Sequence, residues 1–285
     1  MKDTPRSKDG KRTVGMYPES CREITFKYND FYNEERDSYG WPEDSHLLLS
    51  PTRILNGTKD KSGLEAWRKR VGEEEADRIT EEGISIGKSM HKYLENSIWK
   101  FCINPRITKW VSKYAKRPPL VNPAYHPYAE LATKMGNIIL EKGLKDRLEW
   151  VYGLEALIYY SIYWRGVIDL VGQYEGEEAI VDFKTKKQMP KEEWTEDWKM
   201  QVAAYGMAHN LQCRTHIKKG VILIVTREGE FKRIIIEGDE WNMYYERFCE
   251  RLRNFIAIDR DIKYSKYMRA QLRYTEIERT IKEIK

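Results

Sequence analysis

The chain has 285 residues, of which 50 are Lys or Arg and 45 are Asp or Glu, giving a formal net charge of +5. Hydrophobic residues make up 41 % and aromatic residues 12 %, which suits a folded protein with a substantial core and excludes an intrinsically disordered chain. The small basic excess permits a nucleic-acid partner without establishing one.

Cysteine spacing and hydropathy indicate which metal cofactors and which cellular compartment fit this chain. The four cysteines are scattered and form no C-x-x-C pair, which argues against zinc ribbons and iron–sulfur clusters. No stretch approaches the roughly 20 apolar residues of a membrane helix, and the N-terminus lacks the apolar segment of a secretory signal. We therefore expect no membrane partner and a cytoplasmic location in a bacterial or phage-infected cell, in preference to a mitochondrial one.

In chain order, residues 1–46 are polar and irregular and predict a flexible arm. Folding is predicted to begin near Leu47, where Ser50 and Pro51 resemble an N-cap and the first position of a helix. Helical periodicity follows over about 64–82, 84–101 and 128–146, interrupted by a basic, aromatic and proline-rich insertion near 102–128.

The second half of the chain alternates strands and helices. Strands are predicted over 151–160, 162–174 and 178–185, then a helix over 192–210, strands over 219–226 and 231–237, and a helix over 240–258 with Asp239 as its cap. The tail 263–285 is charged and helical in pattern. This order predicts an α/β domain over 47–262, with a central mixed β-sheet, flanking helices, a helical N-terminal part and C-terminal helices.

Two acids that lie within predicted apolar strands form the centre of the candidate site. Side chains alternate along a strand, so Asp182 and Lys184 point to the same face. Asp169 interrupts the preceding strand in the same way. If Glu175 and Gly176 form the centre of a hairpin turn, Asp169 lies directly opposite Asp182, with Cβ atoms about 5 Å apart.

Facing carboxylates repel each other, and a divalent cation between them removes that penalty. The oxygen ligands predict a hard cation, Mg²⁺ or Mn²⁺. For an isolated D-x-K tripeptide, an ion pair on a solvated face would be the better interpretation. The second acid at hairpin distance favours a metal-dependent site.

Three weaker signals surround these acids. Glu155 is an acid within a third strand-like run and fits either the site or an exposed face. His91 lies on a predicted helix, where a single histidine is more often structural than a ligand. Gln201 and Tyr205 are four residues apart on the helix after Asp182, and they fit either a polar face at the site or ordinary packing.

Five motifs follow one another along the chain: G-x-x-x-H at 87–91, Glu155, G-V-I-D at 166–169, V-D-F-K-T at 181–185 and Q-x-x-x-Y at 201–205. This ordered set resembles the RecB-like branch of the PD-(D/E)XK nuclease superfamily. Ser50-Pro51-Thr52 and the run 64–70 are similar to the family of mitochondrial genome maintenance exonucleases and their phage-encoded relatives. The resemblance covers roughly 47–258.

The resemblance implies a restriction-endonuclease-like core and a role for each motif residue. The catalytic lysine would be Lys184. One or two metal ions would be held by His91, Asp169, Asp182 and the Phe183 carbonyl, with supporting roles for Glu155, Gln201 and Tyr205. The chain departs from the family pattern at Lys88, where many RecB-like nucleases have Thr, and at Ile168, which replaces the proline of the superfamily's name.

Candidate DNA-binding residues fall into two groups. The group near the predicted site comprises Arg165, Lys186 and Lys187. The other group lies in the insertion and interleaves cations with aromatic rings: Lys109, Trp110, Lys113 and Tyr114, followed by Lys116 and Arg117. Such a pattern is typical of surfaces that bind phosphates and stack on bases, but an ordinary solvated loop fits equally well.

The resemblance implies a metal-dependent exonuclease acting on DNA, mainly single-stranded DNA with free ends. Its expected setting is replication, repair or recombination, with proteins of those processes as partners. Two alternatives stay open. One is a catalytically silent nucleic-acid-binding module on the same fold, and the other is a structure-specific or restriction-type endonuclease.

Overall fold

In the computed structural model, the described parts of the chain are residues 32–33, 38–39, 49–103, 127–160 and 164–259. The elements in chain order are β1 (Tyr32–Asn33), β2 (Ser38–Tyr39), α1 (Pro51–Gly57), α2 (Ser62–Val71), α3 (Glu73–Ile103), α4 (Ala129–Ile138), a π-helix (Ile139–Leu144), β3 (Leu148–Tyr160), β4 (Trp164–Tyr174), β5 (Glu177–Lys186), a 3₁₀ turn (Glu192–Thr195), α5 (Glu196–Cys213), β6 (Gly220–Thr226), β7 (Phe231–Ile236) and α6 (Gly238–Asp259).

A five-stranded sheet in the order β3-β4-β5-β6-β7 forms the centre of the fold. Neighbouring strands are antiparallel except β5 and β6, which are parallel. Parallel strands need a long crossover connection, and here the connection contains α5. The predicted α/β class with a mixed central sheet is therefore confirmed.

Helices cover both faces of this sheet. One apolar cluster joins α1, α5 and α6 to sheet residues such as Ile180 and Ile222. The other packs α3, α4 and the π-helix against residues such as Val181 and Leu223. Every residue of β6 is buried, because helices cover it on both sides, which explains its continuous apolar run.

The β4–β5 hairpin has the register that its turn residues predict. Glu175 (φ 50°) and Gly176 (φ 84°) both adopt positive φ, as the two-residue turn of a tight hairpin requires. The strands pair from this turn up to the position just before Asp169 and Asp182. The predicted register is thus confirmed along the paired part of the hairpin, and the two acids are the next positions along their strands.

The predicted helix break at Gly83 is wrong. The structure ends α2 before Gly72 and continues α3 from Glu73 through Gly83 to Ile103. Gly72 has φ 89°, a conformation that favours glycine, whereas Gly83 occupies open space within a regular helix. Glycine in a helix interior costs only about 1 kcal/mol relative to alanine, so it need not end one.

Helix ends elsewhere follow the prediction in part. The Ser50 hydroxyl accepts a hydrogen bond from the Arg53 N–H at 3.1 Å, which confirms the predicted cap of α1. Asp239 lies within the first turn of α6 rather than before it, so its assignment as the cap is wrong. The helix predicted over 128–146 is α-helical to Ile138 and π-helical to Leu144.

Three predicted regions fall wholly or largely outside the described residues: the arm 1–46, the insertion 102–128 and the tail 263–285. The division into an arm, a nuclease domain over 47–262 and a tail therefore stays a prediction. Within the described ranges, no helix is both long enough and apolar enough to cross a membrane.

Candidate active site

The site lies where β3 and β4 lose their regular alternation. On β4, Leu170 belongs to the apolar cluster on the α3 side, whereas Ile168, two residues away, belongs to the cluster on the α5 side. Side chains two apart on a regular strand share a face, so β4 changes face at Asp169. The same change occurs on β3 at Glu155, whose φ of 50° lies in the left-handed region. Both acids therefore project from irregular points in the sheet.

One group of side chains converges on the α3 side of this irregularity. Ligand atoms of His91, Glu155 and Asp169 all lie within 4.8 Å of one another. His91 Nδ1 is 3.4 Å from Asp169 Oδ1, and Nε2 is 3.0 Å from the Phe183 carbonyl oxygen. The Phe183 N–H donates to Asp169 Oδ2 at 2.8 Å. We call these three side chains and the Phe183 carbonyl the ligand cluster.

The pKa values of the three ligand-cluster side chains are shifted because these groups are buried close together. Burial lowers the pKa of His91, but the charge of Asp169 and the hydrogen bond to it outweigh burial and raise this pKa to about 9. Burial, reinforced by the charge of Asp169, raises the pKa of Glu155 to about 7. Burial also opposes ionisation of Asp169, yet His91 holds the pKa of that carboxyl below its usual value. The His91 imidazolium thus offsets carboxylate charge, and only its deprotonated form could ligate a metal.

A second group lies on the α5 side of β5. Lys184 Nζ lies 2.7 Å from Asp182 Oδ2, which agrees with the predicted shared face of these two residues. The same ammonium donates to Gln201 Oε1 at 3.2 Å, and Gln201 Nε2 donates to the Tyr205 hydroxyl at 2.8 Å. We call these four residues the lysine cluster. It fixes the Lys184 ammonium between a carboxylate and an amide.

Asp182 is the most buried charged group of the lysine cluster, with its side chain 4 % exposed. Burial raises the pKa of Asp182 to about 6, although the charge of Lys184 acts in the opposite direction. Among the described residues its Oδ2 has no hydrogen bond of good geometry, despite the close Lys184 ammonium. A buried carboxylate oxygen of this kind, beside an oxygen-rich ligand cluster, fits a hard divalent cation.

A cavity of about 430 Å³ adjoins the ligand cluster. The cavity is lined by Glu155 of β3 and by one stretch of α3, which contributes Gly87, Lys88, His91, Lys92 and Glu95. Helix α3 comes close to β5 at Gly87, where an added Cβ would lie 3.4 Å from Thr185 Oγ1. The glycine of the G-x-x-x-H motif thus brings His91 up to the strand that carries Asp182 and Lys184.

The sequence model of the PD-(D/E)XK nuclease superfamily matches residues 64–267, which contain every site residue described above. The chain belongs to this superfamily. Nucleases of the PD-(D/E)XK superfamily generally use divalent metals, and the ligand cluster supplies a group of side chains able to hold one. The sheet with helices on both faces agrees with the restriction-endonuclease-like core expected of a member.

Two curated relatives carry the same printed name, Mitochondrial genome maintenance exonuclease 1. The Mus musculus protein is 24 % identical over 234 residues, which is 76 % of this chain and 63 % of the relative. The Homo sapiens protein is 25 % identical over 226 residues, which is 75 % of this chain and 60 % of the relative. The chain therefore spans less than two thirds of the length of either relative.

Among solved structures, the crystal structure of SSO0001 aligns with a TM-score of 0.28 and 15 % identity, covering 63 % of this chain and 86 % of that chain. That TM-score is too low to support any argument.

The residues predicted to bind DNA fall in different places in this PD-(D/E)XK protein. Arg165 is half-buried at the start of β4, and its N–H donates to the Leu49 carbonyl at 2.9 Å. Lys186, the last residue of the strand that carries Lys184, and Lys187, the residue after that strand, are both exposed. The insertion residues Lys109, Trp110, Lys113 and Tyr114 lie outside the described residues, so their role stays a prediction.

The sequence interpretation missed Trp198. Its ring centroid lies 6.0 Å from Lys184 Nζ and 4.9 Å from Lys186 Nζ. Trp198 precedes Gln201 by three residues and Tyr205 by seven, so the three side chains share one face of α5. This helical spacing was the available signal.

Proposed function

We propose that this chain is a metal-dependent DNA exonuclease that hydrolyses phosphodiester bonds, mainly of single-stranded DNA with free ends. The observation that carries the proposal is the buried Asp182 carboxylate, which pairs with Lys184. Asp182 and Asp169 are the next residues beyond the last pair of the hairpin, Leu170 and Val181. Membership of a nuclease superfamily and the word exonuclease in the relatives' names support the same reaction.

The ligand cluster, together with Asp182, has one task in the proposed reaction, and the rest of the lysine cluster has another. His91, Asp169, Asp182 and the Phe183 carbonyl would hold one or two Mg²⁺ or Mn²⁺ ions, with Glu155 within reach of the same atoms. A bound ion of this kind neutralises phosphate charge and lowers the pKa of a coordinated water.

Lys184 would orient the attacking water and stabilise the negative charge that develops on the phosphate. Gln201 accepts a hydrogen bond from Lys184 and donates one to Tyr205, so it fixes the direction of the ammonium. A fixed donor costs no reorganisation at the moment of reaction. Gln201 and Tyr205 therefore act as positioning residues for Lys184.

The proposal also covers phosphate contacts, biological process and location. Arg165 and Lys186 would contact substrate phosphates because they lie on the strands that carry Asp169 and Asp182, and Lys187, the residue after β5, would contribute beside them. A RecB-like assignment, a role in replication, repair or recombination, and a cytoplasmic location are parts of the same proposal.

Degradation of end-labelled single-stranded DNA in Mg²⁺ or Mn²⁺ tests the enzyme proposal. We expect the wild-type protein to release nucleotides, Lys184→Ala to lose this activity, and Lys145→Ala, which removes an exposed lysine after the π-helix, to keep it. If wild type and Lys184→Ala degrade DNA equally poorly, the proposal fails and a silent nucleic-acid-binding module becomes the better interpretation.

A covalently closed circle of single-stranded DNA tests the mode of cleavage. An exonuclease needs a free end, so the circle should persist under conditions that degrade a linear strand of the same sequence. Conversion of the circle to linear fragments would assign the activity to an endonuclease.

A further inference from the structure

We infer that Lys186 and Trp198 form a subsite for the backbone phosphate next to the scissile one. This inference rests on the proposed function, because it assumes a polynucleotide whose scissile phosphate lies beside Lys184. It assigns a task to Trp198, which the proposed reaction does not otherwise use.

The geometry of β5 places Lys186 one step beyond Lys184. Residues two apart on a strand project from the same face and lie about 6.6 Å apart. The next phosphate of a single strand running along β5 would therefore meet the Lys186 ammonium.

Trp198 lies across the ends of both lysines, with Lys184 Nζ 6.0 Å and Lys186 Nζ 4.9 Å from its ring centroid. Its ring is half-buried and packs on the core cluster beside α5. An aromatic face attracts a cation and limits its movement, so the ring holds Lys186 in the direction of Lys184.

The charges around Lys186 are mainly positive and would favour a bound anion. Within the described ranges Lys186 forms no ion pair with a carboxylate. Asp197, which precedes Trp198, forms ion pairs with Lys59 at 2.7 Å and with Arg251 at 3.7 Å. Burial by neighbouring atoms and the positive charges of Lys184 and Lys59 lower the pKa of Lys186. The ammonium groups of Lys184 and Lys186 therefore lie at one tryptophan ring, where a phosphate would relieve their repulsion.

Binding of modified oligonucleotides tests the subsite independently of cleavage. In a set of single-stranded oligonucleotides, one phosphate at a time is replaced near the end by an uncharged methylphosphonate. Their affinity is measured in Ca²⁺ for wild type, for Lys186→Gln and for the control Lys191→Gln. The control removes an equal charge from another lysine–tryptophan contact, in which Lys191 Nζ lies 5.6 Å from the Trp194 ring centroid.

We expect one methylphosphonate position to weaken wild-type binding by about tenfold, the usual size of one charged hydrogen bond. Lys186→Gln should weaken binding of the unmodified strand by a similar factor and should be insensitive to that same position, while Lys191→Gln behaves as wild type. Additive losses at every position, or equal sensitivity of wild type and Lys186→Gln, would overturn the subsite. Because this readout needs no hydrolysis, a protein that binds in this pattern without cutting would overturn the proposed function alone.

The positioning task of Trp198 has a separate test. Each phosphate contact with a single strand contributes about 0.7 to the slope of log affinity against log salt. Trp198→Leu and Lys186→Gln should each reduce the slope by this increment, and the double variant should reduce it no further. Trp198→Phe, which keeps an aromatic face, should retain the wild-type slope. A slope unchanged in Trp198→Leu would show that the tryptophan serves packing alone.

Discussion

The two halves of the candidate site come from opposite layers of the fold and differ in how well their charges are satisfied. In the ligand cluster, on the α3 side, His91, Glu155 and Asp169 bring their ligand atoms within 4.8 Å of one another. In the lysine cluster, on the α5 side, a chain of contacts runs from Asp182 through Lys184 and Gln201 to Tyr205.

This difference separates binding of the cation from positioning of the reactants. Burial, reinforced by the charge of Asp169, raises the pKa of Glu155 to about 7, and the His91 imidazolium acts in the opposite direction. A cation bound there would relieve the repulsion between the two carboxylates. In the lysine cluster, the hydrogen bonds that join Lys184, Gln201 and Tyr205 need no cation. Changes in the first cluster should therefore weaken metal binding, and changes in Gln201 or Tyr205 should slow the reaction while leaving metal binding intact.

The largest effect is expected for Asp169→Asn. Loss of the negative charge at the centre of the ligand cluster should weaken metal binding and reduce kcat/KM on single-stranded DNA by about 10³-fold. Initial rates across a Mn²⁺ titration measure both effects. Glu177→Gln, an exposed acid on the same hairpin, is the matched control and should retain wild-type rates. Wild-type activity in Asp169→Asn would remove the ligand cluster from the reaction.

A smaller loss of activity is expected for Gln201→Ala, in the lysine cluster. Loss of one hydrogen bond to a charged group should lower kcat by about 10- to 100-fold, without changing the Mn²⁺ affinity. Tyr205→Phe removes only the hydroxyl that accepts from Gln201 and should lower kcat less. A parallel fall in metal affinity would show that the two halves do not act separately.

Alanine substitutions at two glycines probe how tightly the two halves of the candidate site are packed. A Cβ at Gly166 would lie 2.6 Å from the Tyr205 ring, whereas one at Gly87 would lie 3.4 Å from Thr185 Oγ1. Gly166→Ala should therefore lower the free energy of unfolding by about 1–3 kcal/mol. Gly87→Ala, in a helix interior, should stay within about 1 kcal/mol of wild type. Denaturant unfolding measures both variants, and equal losses would contradict the difference in packing.

The smallest effect concerns the charge of Glu155. Its pKa is raised in the folded protein, so as the pH increases from about 4.5 to about 7 the unfolded chain releases its proton first and folding loses stability. In chelator at alkaline pH, Glu155→Gln should raise the free energy of unfolding by roughly 1 kcal/mol, and the gain should vanish in acid. Chemical unfolding as a function of pH measures this. A gain independent of pH would assign the effect to packing.

Local chemistry explains why the hairpin was predictable from the sequence. Glu175 and Gly176 adopt the positive φ values of a tight turn, and the turn fixes the register as far as the Leu170–Val181 pair, next to the two acids. Alternation along β5 likewise placed Asp182 beside Lys184. The mixed sheet followed from the order of apolar runs.

Features set by tertiary packing were not predictable from the sequence. The left-handed conformation of Glu155, a residue type that normally avoids it, occurs where β3 changes face, although the flanking residues Leu154 and Ala156 pair with β4 in an unbroken register. The contact of Trp198 with two lysines depends on how α5 lies against β5. The helix break at Gly72 rather than Gly83 depends on a backbone angle that glycine permits at both places.

The central claim is that Asp169 and Asp182 share a divalent ion beside an ammonium group that takes no part in holding it. Calorimetric titration of Mn²⁺ into wild type, Asp169→Asn, Asp182→Asn and Lys184→Ala tests this most directly. The account predicts that wild type and Lys184→Ala bind the ion with similar affinity, and that each Asp variant binds it at least about tenfold more weakly. Absence of binding to wild type, or equal binding by the Asp variants, would contradict it.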